Sequence, residues 1–375
     1  MIIKNLQIYN ENKKFINGDI VIGDNKIKNI NEAEKYSDII IDGEECYAIP
    51  GLIDIHFHGC MGYDFCDGEE KAIEEIAKYE ASIGVTSICP ATMTIETNEL
   101  AKVMDIAGKY KNKIGSRLVG INMEGPFINS EKKGAQDEKY IRNCSIDMYK
   151  DFQKRSNGLI KIVDIAPETN DAFDFINSLK NDVSISLAHT CADYETAKLA
   201  FDKGAKHVTH LYNAMPPFSH REPGVVGAAF DSKHAFVELI CDNVHIHPAM
   251  VRATFSMFTD DRIIFISDSM RATGLEDGSY TLGGQDVTVK GNKATLTGSS
   301  TIAGSVTNLM NCLKTAVNKM NIPLESAIAC ATQNPAKAIG IYDKYGSITE
   351  GKIADIVLLN KDLSIKAVYI NGKKI

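Results

Sequence analysis

Eight short apolar runs, most of them followed by a helix-patterned segment, constrain this chain more than any other feature. They span residues 52–58, 86–90, 118–124, 161–167, 184–189, 207–212, 235–242 and 262–268. Each is near-continuously apolar, as expected of a strand covered on both faces. Between them lie helical patterns such as 69–83, 97–110 and 194–203. Eight such units over roughly 220 residues predict an α/β chain built as a (β/α)8 TIM-like barrel. A doubly wound open sheet is the structural rival. It would not require eight strands, and no glycine-rich dinucleotide loop follows the first one.

The two chain ends read differently. Short strand patterns at 2–9, 15–22, 26–30 and 39–41 are separated by the turn signals Gly18-Asp19, Gly23-Asp24-Asn25 and Asp42-Gly43. The pattern changes at Pro50-Gly51. From Gly346 it alternates again, with strands at 354–359 and 367–370. The expectation is a small β-sandwich domain made from residues 1–50 and 346–375, beside a barrel domain of residues 51–345. Short strands at 280–282, 286–290 and 294–297 form an excursion before a helix near 303–320.

A chain of 375 residues can bury a core of this size. Its formal net charge of −8 argues against a broad basic surface for nucleic acid, while leaving room for a local cationic pocket. Nine cysteines without a CxxC pair argue against a disulfide framework and a zinc knuckle. No apolar run approaches a membrane span, and the N-terminus lacks signal-peptide features, so a cytoplasmic enzyme is expected.

In such a barrel, chemistry sits at the C-terminal ends of the strands. The first ends in His56-Phe57-His58-Gly59. Residues two apart share one side of a strand, so both rings could grip one ion, or they could be two polar residues facing solvent. The third ends in Glu124-Gly125-Pro126. A buried acid there needs a cation or donors, though it could equally be a helix cap or ion-paired. The fifth and sixth end in His189 and His210, and the eighth in Asp268. One histidine alone is more often a core or rim residue; recurrence at successive strand ends favours a metal. His207, His220, His234 and His247 show no such pattern and read as structural or surface residues.

Taken together, this set resembles the amidohydrolase superfamily. Within it, Met123-Glu124-Gly125-Pro126-Phe127, Lys132-Lys133-Gly134-Ala135, His210-Leu211-Tyr212-Asn213-Ala214-Met215-Pro216, Arg221-Glu222-Pro223-Gly224 and Thr301-Ile302-Ala303-Gly304-Ser305 resemble motifs of the N-acetylglucosamine-6-phosphate deacetylase family. The resemblance runs from about Pro50 to the C-terminus. It implies that Glu124, His189 and His210 hold a divalent ion (zinc, iron or manganese) and that His56 and His58 allow a second, with Glu124 bridging. It implies that Asp268 is both the catalytic acid/base and a metal ligand. For the substrate it implies Asn213, Ala214, Ala135, Gln136, Ile302, Ala303 and Gly304 around the sugar and amide, and Arg221 and His245 at the phosphate. Some phosphate contacts in the family cross a subunit boundary, which implies a homodimer.

Gln136 is a departure, since the family commonly has histidine there. Glutamine can donate a hydrogen bond to a carbonyl but cannot be cationic. The expected reaction is removal of the acetyl group from an N-acetylated amino sugar 6-phosphate. The alternatives are the galactosamine epimer, a cyclic-amide hydrolase or deaminase on the same barrel, and a non-catalytic scaffold.

Overall fold

The computed structural model describes residues 1–30 and 39–375. Both chain ends enter one eight-stranded sheet. Across it run Lys373–Lys374, Ile365–Ile370, Ile356–Leu359, Tyr47–Pro50, Ile2–Tyr9, Phe15–Gly23 and Lys26–Ile30, while Ile40–Asp42 pairs alongside Ile2–Tyr9. The sheet forks at Ile2–Tyr9, because Ile2 to Lys4 pair with Ile40 to Asp42 whereas Gln7 and Ile8 pair with Tyr47 and Ala48. The ends therefore meet, as the alternation of the tail predicts. Hydrogen bonding joins all eight strands into one connected sheet. Ile3, Ile8, Ile20, Ile27, Ile356 and Tyr369 form its own apolar cluster.

The eight apolar runs all become parallel strands or strand pairs, in chain order. Leu52–Asp54, Val85–Ile88 and Arg117–Leu118 form one sheet. Ile121–Glu124, Ile160–Ile165, Ser184–Leu187, His207–Val208, Phe236–Ile240 and Ile263–Ile266 form the next. The third run is broken at Val119-Gly120. There a Cβ on Gly120 would meet the Lys161 side chain at 2.5 Å and Cys89 Sγ at 2.9 Å, so the chain swings between partners where only glycine fits. Backbone bonds join the two sheets at Asn122, whose N–H donates to Pro90 and whose carbonyl accepts from Thr92. At the other end Asp268 N–H donates to His56 O and His58 N–H to Ser269 O. The architecture is α/β of the TIM-barrel type.

Alternation along the strands divides the core. Ile263 and Phe265 join the large cluster containing the helices, whereas Ile264 and Ile266 join Ile53, Ile55, Ile162 and Ile240 in a second one, with Ala336 and Ile339. The helices form where the sequence signals them. In Thr97–Lys109, Leu100, Val103, Met104 and Ala107 make the buried stripe, and the Glu96 carboxylate accepts from the N–H groups of Asn98 and Glu99. Tyr194–Lys203 matches its expected bounds, with Asp193 as N-cap. The helix expected near 303–320 starts only at Leu309, since Gly304 is left-handed (φ 61°) and Asn308 caps the first turn. Three antiparallel strands, Gly278–Leu282, Gln285–Lys290 and Lys293–Leu296, build the excursion. Its cluster of Leu282, Val287, Ala294 and Ala303 packs on Met93 and Met270, next to the ends of the parallel strands.

All nine cysteines are free thiols, as expected of the sequence. Among the described residues no helix is long and apolar enough to cross a membrane.

Candidate active site

The polar residues that end the parallel strands converge on a cavity of about 520 Å³. Glu124 is at its centre. Its Oε1 is 3.0 Å from His189 Nε2, 3.2 Å from His210 Nε2 and 3.5 Å from His56 Nε2. Its Oε2 is 3.3 Å from His58 Nε2. Two trios result, His56–His58–Glu124 and Glu124–His189–His210, all buried and sharing one carboxylate. Asp268 Oδ1 stands 3.3 Å from His58 Nε2 and 3.9 Å from His56 Nε2.

Local backbone geometry aims these groups. His189, His210 and Asp268 all have positive φ, at 43°, 29° and 49°, just beyond the ends of their strands. Such conformations cost a non-glycine residue about 1–3 kcal/mol and concentrate at functional sites. His58 is followed by Gly59, where a Cβ would collide with the Tyr63 carbonyl oxygen at 2.1 Å, so the tight reversal after the first strand requires glycine.

The donor set fits a cation on the observed hydrogen bonding. His189 Nδ1 donates to the Lys132 carbonyl at 2.8 Å, so the neutral ring presents a lone pair at Nε2. That lone pair faces Glu124 Oε1, and His210 Nε2 lies 3.1 Å from His189 Nε2. His56 Nδ1 faces Glu238, and His56 Nε2 is buried without a hydrogen-bond partner. Lone pairs converging in this way repel unless a cation or proton lies between them. Tetrahedral ligands on bonds of about 2.0–2.2 Å stand about 3.3–3.6 Å apart, close to the spacings seen here.

The electrostatics point the same way. Burial would raise Glu124, but the surrounding imidazoles, the charge of His56 foremost, outweigh it and hold the carboxyl well below its usual range. Burial likewise opposes ionisation of Asp268, and the bond from His58 with the charges on His56 and His58 reverses it, leaving Asp268 ionised. Burial disfavours a charged His56, yet Glu238 and Glu124 raise it well above the ordinary histidine value, so these carboxylates favour a positive charge at the ring, whether a proton or a metal ion supplies it.

Ala135, Gln136, Asn213, Ala214, His245, Ile302 and Gly304 line the cavity, as do Met93, Lys132, Lys133, Leu282 and Thr301. His245 Nδ1 contacts Asp242 Oδ2 at 2.7 Å, and the Asp242 carboxylate also accepts the His245 backbone N–H. Burial lowers the His245 pKa, but the bond to Asp242 and its charge outweigh that and raise it. Two expected substrate residues lie elsewhere. Arg221 is exposed on the 217–222 segment and lines a separate cavity with Cys191, Asp193 and Tyr194, away from the one around Glu124. Ala303 is fully buried in the apolar cluster beneath the excursion, while Thr301, Ile302 and Gly304 of that motif reach the wall.

Gln136 bridges two elements. Its Oε1 accepts the Thr94 N–H at 2.6 Å and its Nε2 donates to Glu124 Oε2 at 2.9 Å. Gln136→Leu would leave the buried Thr94 N–H without an acceptor and is expected to destabilise the fold by about 1–3 kcal/mol. Denaturant unfolding measures this; an unchanged midpoint would mean that water replaces the lost acceptor.

Sequence reasoning missed Glu238. It is fully buried and pairs with His56 and with His207, a histidine read above as merely structural. Its signal was a lone acid inside the run Phe236-Val237-Glu238-Leu239-Ile240. The other three histidines without a pattern stay outside the centre: His220 is exposed, His234 bonds to the Ala205 carbonyl, and His247 caps the helix Pro248–Phe258.

The amidohydrolase family model matches residues 47–375. The chain belongs to the amidohydrolase family. Among curated relatives, the N-acetylglucosamine-6-phosphate deacetylase of Bacillus subtilis (strain 168) is 37% identical, over 99% of this chain and 96% of its own. The N-acetylgalactosamine-6-phosphate deacetylase of Escherichia coli O157:H7 is 33% identical over 86% of each. The solved N-acetylglucosamine-6-phosphate deacetylase of Pasteurella multocida superposes with a TM-score of 0.93 at 29% identity, over 100% of this chain and 99% of that one. An amidohydrolase acting on an amide bond accounts for a centre of histidines and carboxylates at the strand ends.

Proposed function

We propose that this amidohydrolase hydrolyses the acetamide of N-acetyl-D-glucosamine 6-phosphate to D-glucosamine 6-phosphate and acetate. The observation that carries the reading is the pair of trios sharing Glu124, with Asp268 3.3 Å from His58, in a cavity whose wall also holds His245. On this reading His189, His210 and Glu124 hold one divalent ion, His56, His58 and Glu124 a second, and Asp268 stands at the metal. A divalent ion, when bound, supplies a Lewis acid and acidifies water towards neutrality.

The chain's own residues do the rest. Asp268 takes the proton of the attacking water as the oxygen adds to the acetyl carbon. It then delivers that proton to the departing nitrogen, so the C–N bond breaks to a neutral amine rather than an amide anion. Ala135, Ile302 and Gly304, with Asn213 and Ala214, surround the sugar and hold the amide over Asp268. The buried Ala303 shapes that wall from below. Gln136 is already committed to Thr94 and Glu124, so it steadies the carboxylate and the loop.

The same reading takes residues 51–345 as a closed (β/α)8 barrel and residues 1–50 with 346–375 as a small β-sandwich domain, in a cytoplasmic enzyme. It takes Arg221, a cation carried outward from its own pocket, as reaching the phosphate bound by a second copy, which makes the active unit a homodimer.

His245 would meet the phosphate at the far end of the pocket. His245→Gln is expected to raise KM for the phosphorylated sugar about 10–100-fold, the worth of one charge-assisted hydrogen bond. The unphosphorylated sugar should be unaffected, and equal losses for both would remove this role. Because the His245 pKa is raised, its cation persists below that raised value and is lost above it, so KM should climb on the alkaline side.

The deciding experiment is acetate release from N-acetylglucosamine 6-phosphate, its unphosphorylated form and the galactosamine epimer, on protein of known metal content. Preference for the phosphorylated glucosamine supports the proposal. Preference for the epimer keeps the mechanism and changes the substrate, and no turnover of any of them when metal-loaded would overturn it.

A further inference from the structure

The strand Phe236–Ile240 places a carboxylate inside an apolar run, where desolvation costs several kcal/mol unless donors offset it. Glu238 has three donors. Its Oε2 is 3.1 Å from His56 Nδ1 and accepts the His210 backbone N–H at 3.0 Å. Its Oε1 is 2.9 Å from His207 Nε2. One side chain therefore touches a member of each trio, His56 by its ring and His210 by its backbone, at a residue whose φ is 29°.

A competitor stands beside it. Asn122 Nδ2 lies 3.4 Å from His56 Nδ1 and also donates to the Ile55 carbonyl. An amide N–H facing Nδ1 favours the ring form that carries its proton on Nε2. That form cannot ligate a metal through Nε2, the atom that points at Glu124. A carboxylate facing Nδ1 favours the opposite form, with the proton on Nδ1 and the lone pair on Nε2.

We propose that Glu238 is a positioning residue for the metal centre, which overrides Asn122 to keep the His56 Nε2 lone pair free and anchors the left-handed turn that aims His210. The inference rests on the reading that the two trios hold divalent ions. It adds that their quality as ligands is decided by a carboxylate on a different strand that is fully buried and does not line the cavity.

The test is zinc affinity, measured on metal-stripped full-length protein by competition with a chromophoric chelator. Glu238→Met keeps the length and fills the space without an acceptor, and should weaken zinc binding about 10–100-fold, as loss of an outer-shell partner does elsewhere. Glu238→Gln keeps a neutral acceptor, which competes less well with Asn122, and should weaken binding only about threefold to tenfold. Adding Asn122→Leu to Glu238→Gln removes the competing donor and should restore near-wild-type affinity. This last pair keeps the idea testable if Glu238→Met does not fold. Two outcomes overturn it. One is a folded Glu238→Met protein with a lower metal-free melting temperature but unchanged zinc affinity, which is the mark of a purely structural residue. The other is failure of Asn122→Leu to restore Glu238→Gln. Wild-type protein that binds no zinc would overturn the metal reading itself, and this inference with it.

Discussion

Asp268→Asn is expected to lower kcat about 10²–10⁴-fold, or about 3–5 kcal/mol of barrier, because one side chain is asked to take a proton and then return it. Asparagine fills the same space and still offers an oxygen to His58, so the pocket should survive. Metal content and KM are then expected to stay within a small factor of wild type. The two measurements together separate chemistry from assembly. A fall in kcat with unchanged metal content assigns the proton transfer to Asp268. Near-normal kcat would remove Asp268 from that role, and loss of metal with loss of rate would make it chiefly a ligand. The neighbours of Asp268 explain why the effect should be large. It is buried, it is ionised against the cost of burial, and the rings of His56 and His58 and, at longer range, His245 are set against it.

Glu124→Ala carries the second large effect. Both trios contain Glu124, so its loss removes a ligand from each at once. Ion affinity should fall by more than the roughly 10–100-fold that outer-shell changes cost, and turnover should vanish with it. His58→Ala is the control, since it touches only the trio of the first strand and should leave the His189–His210 ion in place. Metal content after dialysis, read beside kcat, distinguishes them. A Glu124→Ala protein that retains two ions and turns over normally would show that the shared carboxylate does not bridge. Exhaustive chelation of the wild-type protein should reproduce the loss of turnover, and added zinc or manganese should reverse it.

Much of the centre was legible because its members follow a rule of the strand order. His56, His58, Glu124, His189, His210 and Asp268 each close an apolar run, and parallel strands deliver their C-terminal ends to one mouth. The strand regions were legible for the same reason, since burial on both faces demands continuous apolar sequence. Most observed strands stop short of the apolar runs, by two residues in five of them and by four in the first and sixth, whereas the third keeps Glu124 as its last residue. The helix after the excursion begins at Leu309 because Gly304 and Asn308 punctuate it, a local signal that apolar content alone obscures.

Other features were not legible. Nothing in the segment Pro216-Pro217 to Arg221 says that it projects away from its own pocket, since that depends on what packs beneath it. Ala303 sits between two pocket-lining neighbours in sequence, yet faces the opposite side into apolar packing. Glu238 and His207 lie about thirty residues apart on neighbouring strands, and their pairing is a property of register, with His207 opposite Phe236.

By itself, then, the sequence determined the α/β order, the alternation at the two ends and which side chains close the strands, because each is written in local periodicity and in what a strand end can present. Tertiary structure alone decided which oxygen of Glu124 meets which ring, that Gln136 is spent on Thr94 and Glu124, and that Glu238 stands behind His56 and His210. Those facts depend on distances across strands far apart in the chain, and on histidines packed closely enough to hold a carboxylate ionised against the cost of its burial.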